Sequence, residues 1–318
     1  MKQNRLLFAF VLFACAIFLN PLYGQTPKDT LIVARDGTGN FRTITDAIES
    51  IRAYMDYTVV VYIKNGNYKE KIILPSWLKN VELIGESKEK VIITYDDHAN
   101  INKMGTFRTY TLRIDGSRIK LKNLTIENNA APLGQAVALH TEGNYLIFDN
   151  CRILGNQDTV FTGGEYTKLL FKNCFIEGTT DFIFGGATAF FDSCVIHSKR
   201  NSYITAASTP KDAPYGYVFY NCNLTANEDI DKVFLGRPWR PYGFTAFIKC
   251  SLGKHIRAEG WHNWNNIENE KTARYYEFDN YGPGSNTQNR VSWAKLLNSK
   301  EVCSYNVEEV LKDPFFLE

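Results

Sequence analysis

Two short segments decide the interpretation of this chain: Gly155-Asn-Gln-Asp-Thr-Val160 and Thr179-Thr-Asp-Phe-Ile-Phe-Gly185. Each contains one aspartate followed by apolar residues, which predicts burial, and a carboxylate is rarely buried without a partner or a purpose. Asp158 follows Cys151 by seven residues and Asp181 follows Cys174 by seven, so both occupy one position in successive copies of a repeat. If the copies stack as parallel strands, the two carboxylates lie about 5 Å apart.

A self-similar unit extends on both sides of these segments. It places Phe or Leu three residues before Cys or Leu, and six copies share the register: Leu121–Ile126, Phe148–Ile153, Phe171–Ile176, Phe191–Ile196, Phe219–Leu224 and Phe247–Leu252. Successive copies are 20 to 28 residues apart, whereas a propeller blade needs about 40 or more. The spacing therefore predicts an all-β fold, a parallel β-helix (solenoid) with one coil per repeat.

The repeat also predicts where each coil bends. Residues three apart in an unbroken strand face opposite sides, so Phe and Cys both point inward only if the chain bends between them. Asn, Ser or Lys precedes the cysteine position, and Asn is well suited to a left-handed bend. We expect the repeat cysteines to form an interior column of small apolar side chains rather than disulfides. They are Cys151, Cys174, Cys194, Cys222 and Cys250.

The two ends of the predicted solenoid carry different elements. Strands are predicted at residues 31–34, 58–63 and 81–85, with Gly66–Glu70 separating the last two. The apolar spacing from Thr43 to Ala53 predicts an N-terminal capping helix, with Thr43 and Asp46 spaced as an N-cap pair. The segment Val307–Leu311 predicts a short helix in a C-terminal extension that packs outside the coils.

Residues 1–24 have the layout of a secretory signal: Lys2 and Arg5, an apolar run from Leu6 to Leu19, then small and polar residues. The apolar run is too short to favour a membrane span. We therefore predict a single exported domain over residues 25–318, secreted or periplasmic, with no membrane association. Removing residues 1–24 leaves 34 basic and 34 acidic residues, and this balance argues against a nucleic-acid partner. We expect a monomer.

Two stacked carboxylates suggest acid–base chemistry. Repulsion and burial raise the pKa of one carboxyl group and leave an acid beside an anion. Gln157 precedes the first aspartate, and Arg237 lies in the otherwise apolar loop Leu235–Trp239, where it could keep one carboxylate ionised. A merely structural aspartate column and a retaining glycosidase, whose carboxyl groups are also about 5 Å apart, both stay open at this point.

Other catalytic classes lack their signatures. The chain has no Gly-x-Ser-x-Gly elbow and no His-Glu-x-x-His zinc motif. The histidines show no metal-ligand spacing, and we expect them on the surface or in loops: His98, His140, His197, His255 and His262. No metal site is predicted.

Five motifs, in order along the chain, resemble those of the pectin methylesterases (pectinesterases), which remove methyl groups from esterified polygalacturonate. They are Gly66-Asn-Tyr-Lys-Glu70, Gly134-Gln-Ala-Val-Ala-Leu139, Gln157-Asp-Thr-Val160, Asp181-Phe-Ile-Phe-Gly185 and Leu235-Gly-Arg-Pro-Trp239. Val160 stands where the family usually has Leu. The resemblance covers nearly all of residues 30–265, and the final fifty residues match poorly.

The resemblance implies a right-handed parallel β-helix and an aspartyl esterase that needs no cofactor. Asp181 then corresponds to the nucleophile that forms an acyl-enzyme, and Asp158 to the general acid and base. Gln135 and Gln157 correspond to donors for the oxyanion. Arg237 corresponds to the residue that keeps Asp181 charged.

The resemblance also suggests how the polymer, pectin (homogalacturonan), is held. Trp239 and Trp261 resemble sugar-stacking aromatics, and Thr106 and Phe182 occupy positions that the family uses near the substrate. Tyr68 and Glu70 are interpreted as structural. Two alternatives remain at this stage: a β-helix glycosidase or lyase acting on the same polymer, and a carbohydrate-binding β-helix without catalysis.

Overall fold

The computed structural model describes residues 29–317, so the predicted signal segment, residues 1–24, lies outside the described residues. The described strands form three parallel sheets of 11, 7 and 8 strands. Most coils contribute one strand to each sheet before the chain returns to the first. The molecule is therefore a parallel β-helix, as the repeat predicts.

The eleven-stranded sheet contains Asp29–Val33, Val59–Ile63, Lys79–Gly85, Ser117–Lys122, Leu146–Asp149, Lys168–Lys172, Thr188–Asp192, Tyr217–Tyr220, Phe244–Ile248, Arg274–Phe278 and Lys295–Leu296. The eight-stranded sheet contains Gly66–Lys69, Val91–Tyr95, Thr125–Asn128, Arg152–Leu154, Phe175–Gly178, Val195–Ser198, Asn223–Ala226 and Ser251–Leu252. The seven-stranded sheet contains Ile72–Leu74, Leu112–Ile114, Leu139–Thr141, Val160–Thr162, Ile183–Gly185, Tyr203–Ala207 and Phe234–Pro238.

The predicted bend before each cysteine position is confirmed. The residue there has a positive φ between 51° and 55° in all six copies, a left-handed conformation that Asn adopts more readily than most residues. These residues are Asn123, Asn150, Asn173, Ser193, Asn221 and Lys249. The bend lets residues on both sides of it point into the coil.

Stacks of identical side chains fill the coil interior. Five phenylalanines form a ladder with neighbouring ring centroids 4.4 to 4.7 Å apart and interplanar angles of 8 to 10°. They are Phe148, Phe171, Phe191, Phe219 and Phe247. The five repeat cysteines are buried and unpaired, as predicted. Stacking in equivalent positions is what fixes the register between coils.

The N-terminal helix covers the first coils but is shorter than predicted. It spans Ile44–Glu49, and the Thr43 side chain accepts a hydrogen bond from the Asp46 N–H, as the N-cap pattern predicts. The Glu70 carboxylate accepts bonds from the first N–H groups of this helix, which supports its interpretation as a structural residue. The prediction that Gly66–Glu70 only separates two strands is wrong, since Gly66–Lys69 is itself a strand paired with Val91–Tyr95.

The C-terminal extension packs outside the coils. The predicted helix Val307–Leu311 is present, and residues around it cover the outer face of the eleven-stranded sheet. The remaining described helical segments are Glu268–Thr272 and the 3-10 turns Ile101–Lys103, Thr106–Arg108, Glu301–Ser304 and Pro314–Phe316. Within residues 29–317, no helix is long and apolar enough to cross a membrane.

Candidate active site

Asp158 and Asp181 lie at the start of adjacent strands of the seven-stranded sheet. Val160 pairs with Ile183 in the parallel register, so the two aspartates occupy equivalent places one strand apart, as their spacing predicts. Both are buried, and both have left-handed backbones, with φ of 64° and 47°. Non-glycine residues in this conformation are uncommon and cluster at functional sites. The strained bend turns both carboxyl groups toward one cleft.

Arg237 distinguishes the two acids. Its Nε donates to Asp181 Oδ1 at 2.9 Å and its second terminal nitrogen donates to Oδ2 at 2.6 Å. This two-point, charge-assisted contact favours the ionised form of Asp181. No described residue donates a hydrogen bond to the carboxyl group of Asp158. The arginine therefore stabilises the charge of only one member of the pair.

The surroundings shift the pKa values of both acids. Burial, and then the charge of Asp181, raise the pKa of Asp158 to about 8, against a smaller opposing effect of Arg237. Burial also raises the pKa of Asp181, but the hydrogen bonds and charge of Arg237 oppose that rise. The pair therefore combines Asp158, whose raised pKa favours the protonated form near neutral pH, with Asp181, whose ionised form is stabilised by Arg237. That is an acid next to a nucleophile or base.

Gln135 and Gln157 lie next to each other at the cleft. The carbonyl of Gln157 accepts a hydrogen bond from the N–H of Ala136, which follows Gln135 on the neighbouring coil. Both glutamines are half-buried and both line the cleft with the aspartates. No described residue is bonded to their side-chain amides, so these groups are available to a ligand. Two amide donors beside two carboxyl groups suit the binding of a developing oxyanion.

The cleft has a volume of about 310 Å³ and combines these polar groups with an apolar floor and rim. Its floor is part of the outward row of the seven-stranded sheet, in which Phe184, Ala206 and Arg237 follow one another in register. The residues that line it are Thr106, Phe107, Gln135, Gln157, Asp158, Asp181, Phe184, Ala206, Arg237, Trp239 and Trp264. Aromatic faces around a few polar groups are typical of carbohydrate sites.

Comparison with known proteins identifies the family. The family model described as Pectinesterase matches residues 30–314. This chain belongs to the pectinesterase family. Its match reaches further than the 30–265 predicted from motifs, because the C-terminal coil and extension are included.

Relatives and solved structures agree with this family. Pectinesterase 31 of Arabidopsis thaliana is 35% identical over 85% of this chain and 88% of its own length. The chain spans only about half the length of other curated relatives, such as a probable pectinesterase/pectinesterase inhibitor of Brassica napus, 33% identical over 87% of this chain. Carrot pectin methylesterase superposes with a TM-score of 0.85 at 28% identity, covering 90% of this chain and 94% of that one. This chain thus shares a right-handed parallel β-helix with these proteins.

The structure places two residues that were predicted to bind substrate in the interior and not along the cleft. Trp261 is 1% exposed, stacks on Tyr275 at 4.2 Å and donates its indole N–H to Glu277, all in the interior. Phe182 is fully buried in the main core. The neighbouring aromatics Trp264 and Phe184 line the cleft instead.

Both placements have a local cause that sequence alone does not resolve. The segment Gly260-Trp-His-Asn-Trp264 contains two tryptophans, and the backbone turns between them, with a φ of 60° at Trp264. Likewise the left-handed bend at Asp181 sends Phe182 inward and leaves Phe184 on the outward row. Trp239 and Thr106 do line the cleft, as expected.

The histidines were only partly predicted. His140 is 2% exposed and lies in the strand Leu139–Thr141, so it is neither on the surface nor in a loop, whereas His255 is 3% exposed but lies in a turn. His140 fills a place in the outward row, where it contacts the ring of Phe161 at 4.8 Å and Glu142 at 2.9 Å. Within residues 29–317, no group of histidines, cysteines and acids is arranged to hold a metal.

Proposed function

We propose that this protein is a carboxylic ester hydrolase that removes methyl esters from pectin and releases methanol and pectate. One observation carries the proposal: Arg237 bonds to Asp181 and not to Asp158, so the negative charge is stabilised on only one of two carboxyl groups in equivalent positions of one cleft. Family membership supports the substrate, since a related pectin methylesterase binds a hexasaccharide in its solved structure.

The first half-reaction uses the ionised Asp181. One of its oxygens attacks the ester carbonyl carbon, and the carbonyl oxygen becomes an oxyanion that accepts hydrogen bonds from the amides of Gln135 and Gln157. One such donor is worth about 3 kcal/mol in the transition state. Protonated Asp158 gives its proton to the methoxy oxygen as that carbon–oxygen bond breaks. Methanol leaves, and the galacturonoyl group stays on Asp181 as an anhydride.

The second half-reaction restores both acids. Asp158, now ionised, takes a proton from a water molecule that attacks the acyl carbon. The bond to Asp181 breaks, the product carboxylic acid departs, and Arg237 again bonds to a free carboxylate. Asp158 ends the cycle protonated. No step requires a cofactor or a metal ion.

Methanol release from methylated pectin, measured with a chelator present, tests this function. We expect release at an unchanged rate, with a matching rise in titratable carboxyl groups. No release, or a rate that depends on an added metal ion, would reject the proposal.

The same incubation distinguishes the two alternatives. A glycosidase would shorten the polymer, and a lyase would create unsaturated ends that absorb in the ultraviolet. A binding module would retain pectin tightly without turnover. We expect constant polymer length and no new ultraviolet absorbance, because in the proposed mechanism Asp181 attacks an ester and Asp158 protonates the alcohol that leaves it.

We also propose that the enzyme is exported and acts as a monomer outside the cytoplasm. Residues 1–24 support export, and one chain supplies all the residues named for the cleft. N-terminal sequencing of the protein from the producing cell should begin at Gln25. Light scattering of that material should give the mass of one chain.

A further inference from the structure

Aromatic rings hold the guanidinium of Arg237 on both faces. Its central carbon lies 3.8 Å from the ring centre of Tyr203 and 3.6 Å from that of Trp264. Both rings are in van der Waals contact with one planar group, so they cover its opposite faces. The edge of the same group donates to Asp181. Arg237 is therefore fixed in its plane by the carboxylate and across its plane by the two rings.

Tyr203 belongs to the same backbone ladder as the aspartates. Ile183 pairs with Thr205, so Tyr203 occupies the position that Asp181 has on the preceding coil. The carbonyl of Tyr203 accepts a hydrogen bond from the N–H of Asp181 at 2.8 Å, and its ring stacks on Phe234 at 5.3 Å. One residue thus contacts the backbone of Asp181 and the side chain that bonds to it.

Trp264 lies on a loop whose residues are individually bonded. The Trp264 N–H donates to His262 Nδ1 at 3.1 Å, and the His262 N–H donates to the carbonyl of Gly236, next to Arg237. The side-chain amide of Asn263 donates to the Glu270 carboxylate at 2.7 Å. These bonds hold Trp264 in a left-handed conformation, which costs energy unless its surroundings enforce it.

A buried ion pair anchors the beginning of this loop. Glu277 accepts from Arg290 at 2.8 and 3.2 Å and from the indole N–H of Trp261 at 3.2 Å. Both charged side chains are at most 6% exposed. Arg290 also donates to three backbone carbonyls, so every charge in this network is compensated. The C-terminal region is thereby connected to the loop that carries Trp264.

We propose that Tyr203 and Trp264 are positioning residues that clamp Arg237 against Asp181, and that Trp261, Glu277 and Arg290 anchor the loop that presents Trp264. The inference deepens the proposed function, since it assigns the residues that keep the nucleophile ionised. In this role neither ring takes part in the reaction itself, because both act through Arg237.

The clamp has a measurable electrostatic consequence. Without a ring on one face, the guanidinium gains rotational freedom and water, and its two bonds to Asp181 weaken. The pKa of Asp181 then rises further, since burial still disfavours its charge. The titratable groups that face this pair are Asp158, Tyr203, Tyr275 and His262. Changing Trp264 removes none of them.

Three single variants test the clamp. Trp264→Leu keeps apolar bulk but has no aromatic face, Trp264→Phe keeps a smaller face, and Trp239→Ala removes a cleft tryptophan that stacks on Arg240 instead of Arg237. The pKa of Asp181 is measured in each by ¹³C NMR of labelled aspartate carboxyl groups, assigned with Asp181→Asn. Circular dichroism confirms that each variant folds.

We expect the pKa of Asp181 to rise in Trp264→Leu, to change little in Trp264→Phe, and to stay unchanged in Trp239→Ala. The kcat/KM of Trp264→Leu should fall about tenfold, with its acidic limb moved to higher pH. An unchanged pKa of Asp181 in Trp264→Leu, with only KM raised, would overturn the clamp. The titration needs no substrate, so it tests the clamp even if methanol release fails.

Discussion

Two chemically identical side chains acquire different roles in this molecule. Asp158 and Asp181 have the same register, the same left-handed backbone and similar burial. Only Asp181 is bonded to Arg237. The difference in proton affinity therefore comes from one neighbouring guanidinium, and it can be measured through stability as well as through catalysis.

The raised pKa of Asp158 predicts that this residue destabilises the fold as pH rises. Between about pH 4 and 8 the folded protein holds a proton that the unfolded chain releases, so the free energy of unfolding falls by about 1.4 kcal/mol per pH unit from this group. Asn mimics the protonated form and tolerates a left-handed backbone. We expect Asp158→Asn to be more stable than the wild type, by an amount that grows from pH 5 to pH 8 in urea titrations. A constant difference across that range would contradict the assigned pKa.

The same group predicts the alkaline limb of the reaction. Asp158 must carry a proton to release methanol, so kcat/KM should decline above about pH 8. Asp158→Asn should lose about 10² to 10⁴-fold in kcat, and its residual activity should not show that decline. Initial rates of methanol release from pH 5 to pH 10 provide the measurement, and an unaltered alkaline limb in the variant would assign the proton to another group.

At this scale the sequence predicts polar residues better than aromatic ones. The polar site residues could be placed because each lies either at a fixed distance after a repeat position or inside a motif. They are Asp158, Asp181, Arg237, Gln135 and Gln157. Trp261 could not be placed, because it is a buried partner of the Glu277–Arg290 ion pair, whereas a tryptophan three residues later lines the cleft. Such a contact joins parts of the chain with no shared pattern.

At the scale of the structural element, the left-handed bend is the feature on which each coil depends. Asn173 has a φ of 53°, is exposed, and makes no side-chain bond to a described residue. Asn173 therefore stabilises the bend through its backbone preference alone. The sequence predicts these bends because Asn recurs before the cysteine, but it does not predict the strand Gly66–Lys69, whose copy of the repeat lacks that pattern.

Asn173 offers a matched test of the bend. Asn173→Ala should lower the free energy of unfolding by about 1 kcal/mol, since alanine resists the left-handed conformation. Asn173→Gly should change it much less, because glycine adopts that conformation freely. Equal losses in the two variants, measured by thermal unfolding, would show that the Asn side chain contributes by another route.

The phenylalanine ladder should contribute more to stability than any single bend. Phe191 stacks on both neighbours in the ladder at 4.4 and 4.7 Å and is fully buried. Phe191→Ala should cost about 3 to 5 kcal/mol, whereas Phe191→Leu should cost much less because it preserves most of the volume. Chemical denaturation of both variants checks this, and similar small losses would mean that the ladder repacks.

At the scale of the whole molecule, the C-terminal extension covers the outer face of the eleven-stranded sheet. Tyr305, Leu311 and Phe316 are buried against Phe190 and its neighbours on that face. The sequence predicts the helix Val307–Leu311 but not the surface it covers, because outward apolar residues of a strand do not specify which later segment packs on them.

Removal of this cover should weaken the fold without touching the cleft. A chain ending at Ser304 should unfold at least about 10 °C below the full chain, since several large apolar side chains lose their burial. Leu317→Ser, at a side chain that is 55% exposed, should change the midpoint little. An unchanged midpoint of thermal unfolding in the shortened chain would mean that the extension does not stabilise the fold.

The proposed mechanism requires one carboxylate oxygen of Asp181 to attack the ester carbon. It is tested most directly by the rate of methanol release from methylated pectin with Asp181→Asn, compared with the wild type at the same pH and after confirmation of folding. We expect a loss of at least about 10⁴-fold, because an uncharged amide cannot form the acyl-enzyme. A rate within tenfold of the wild type would contradict it.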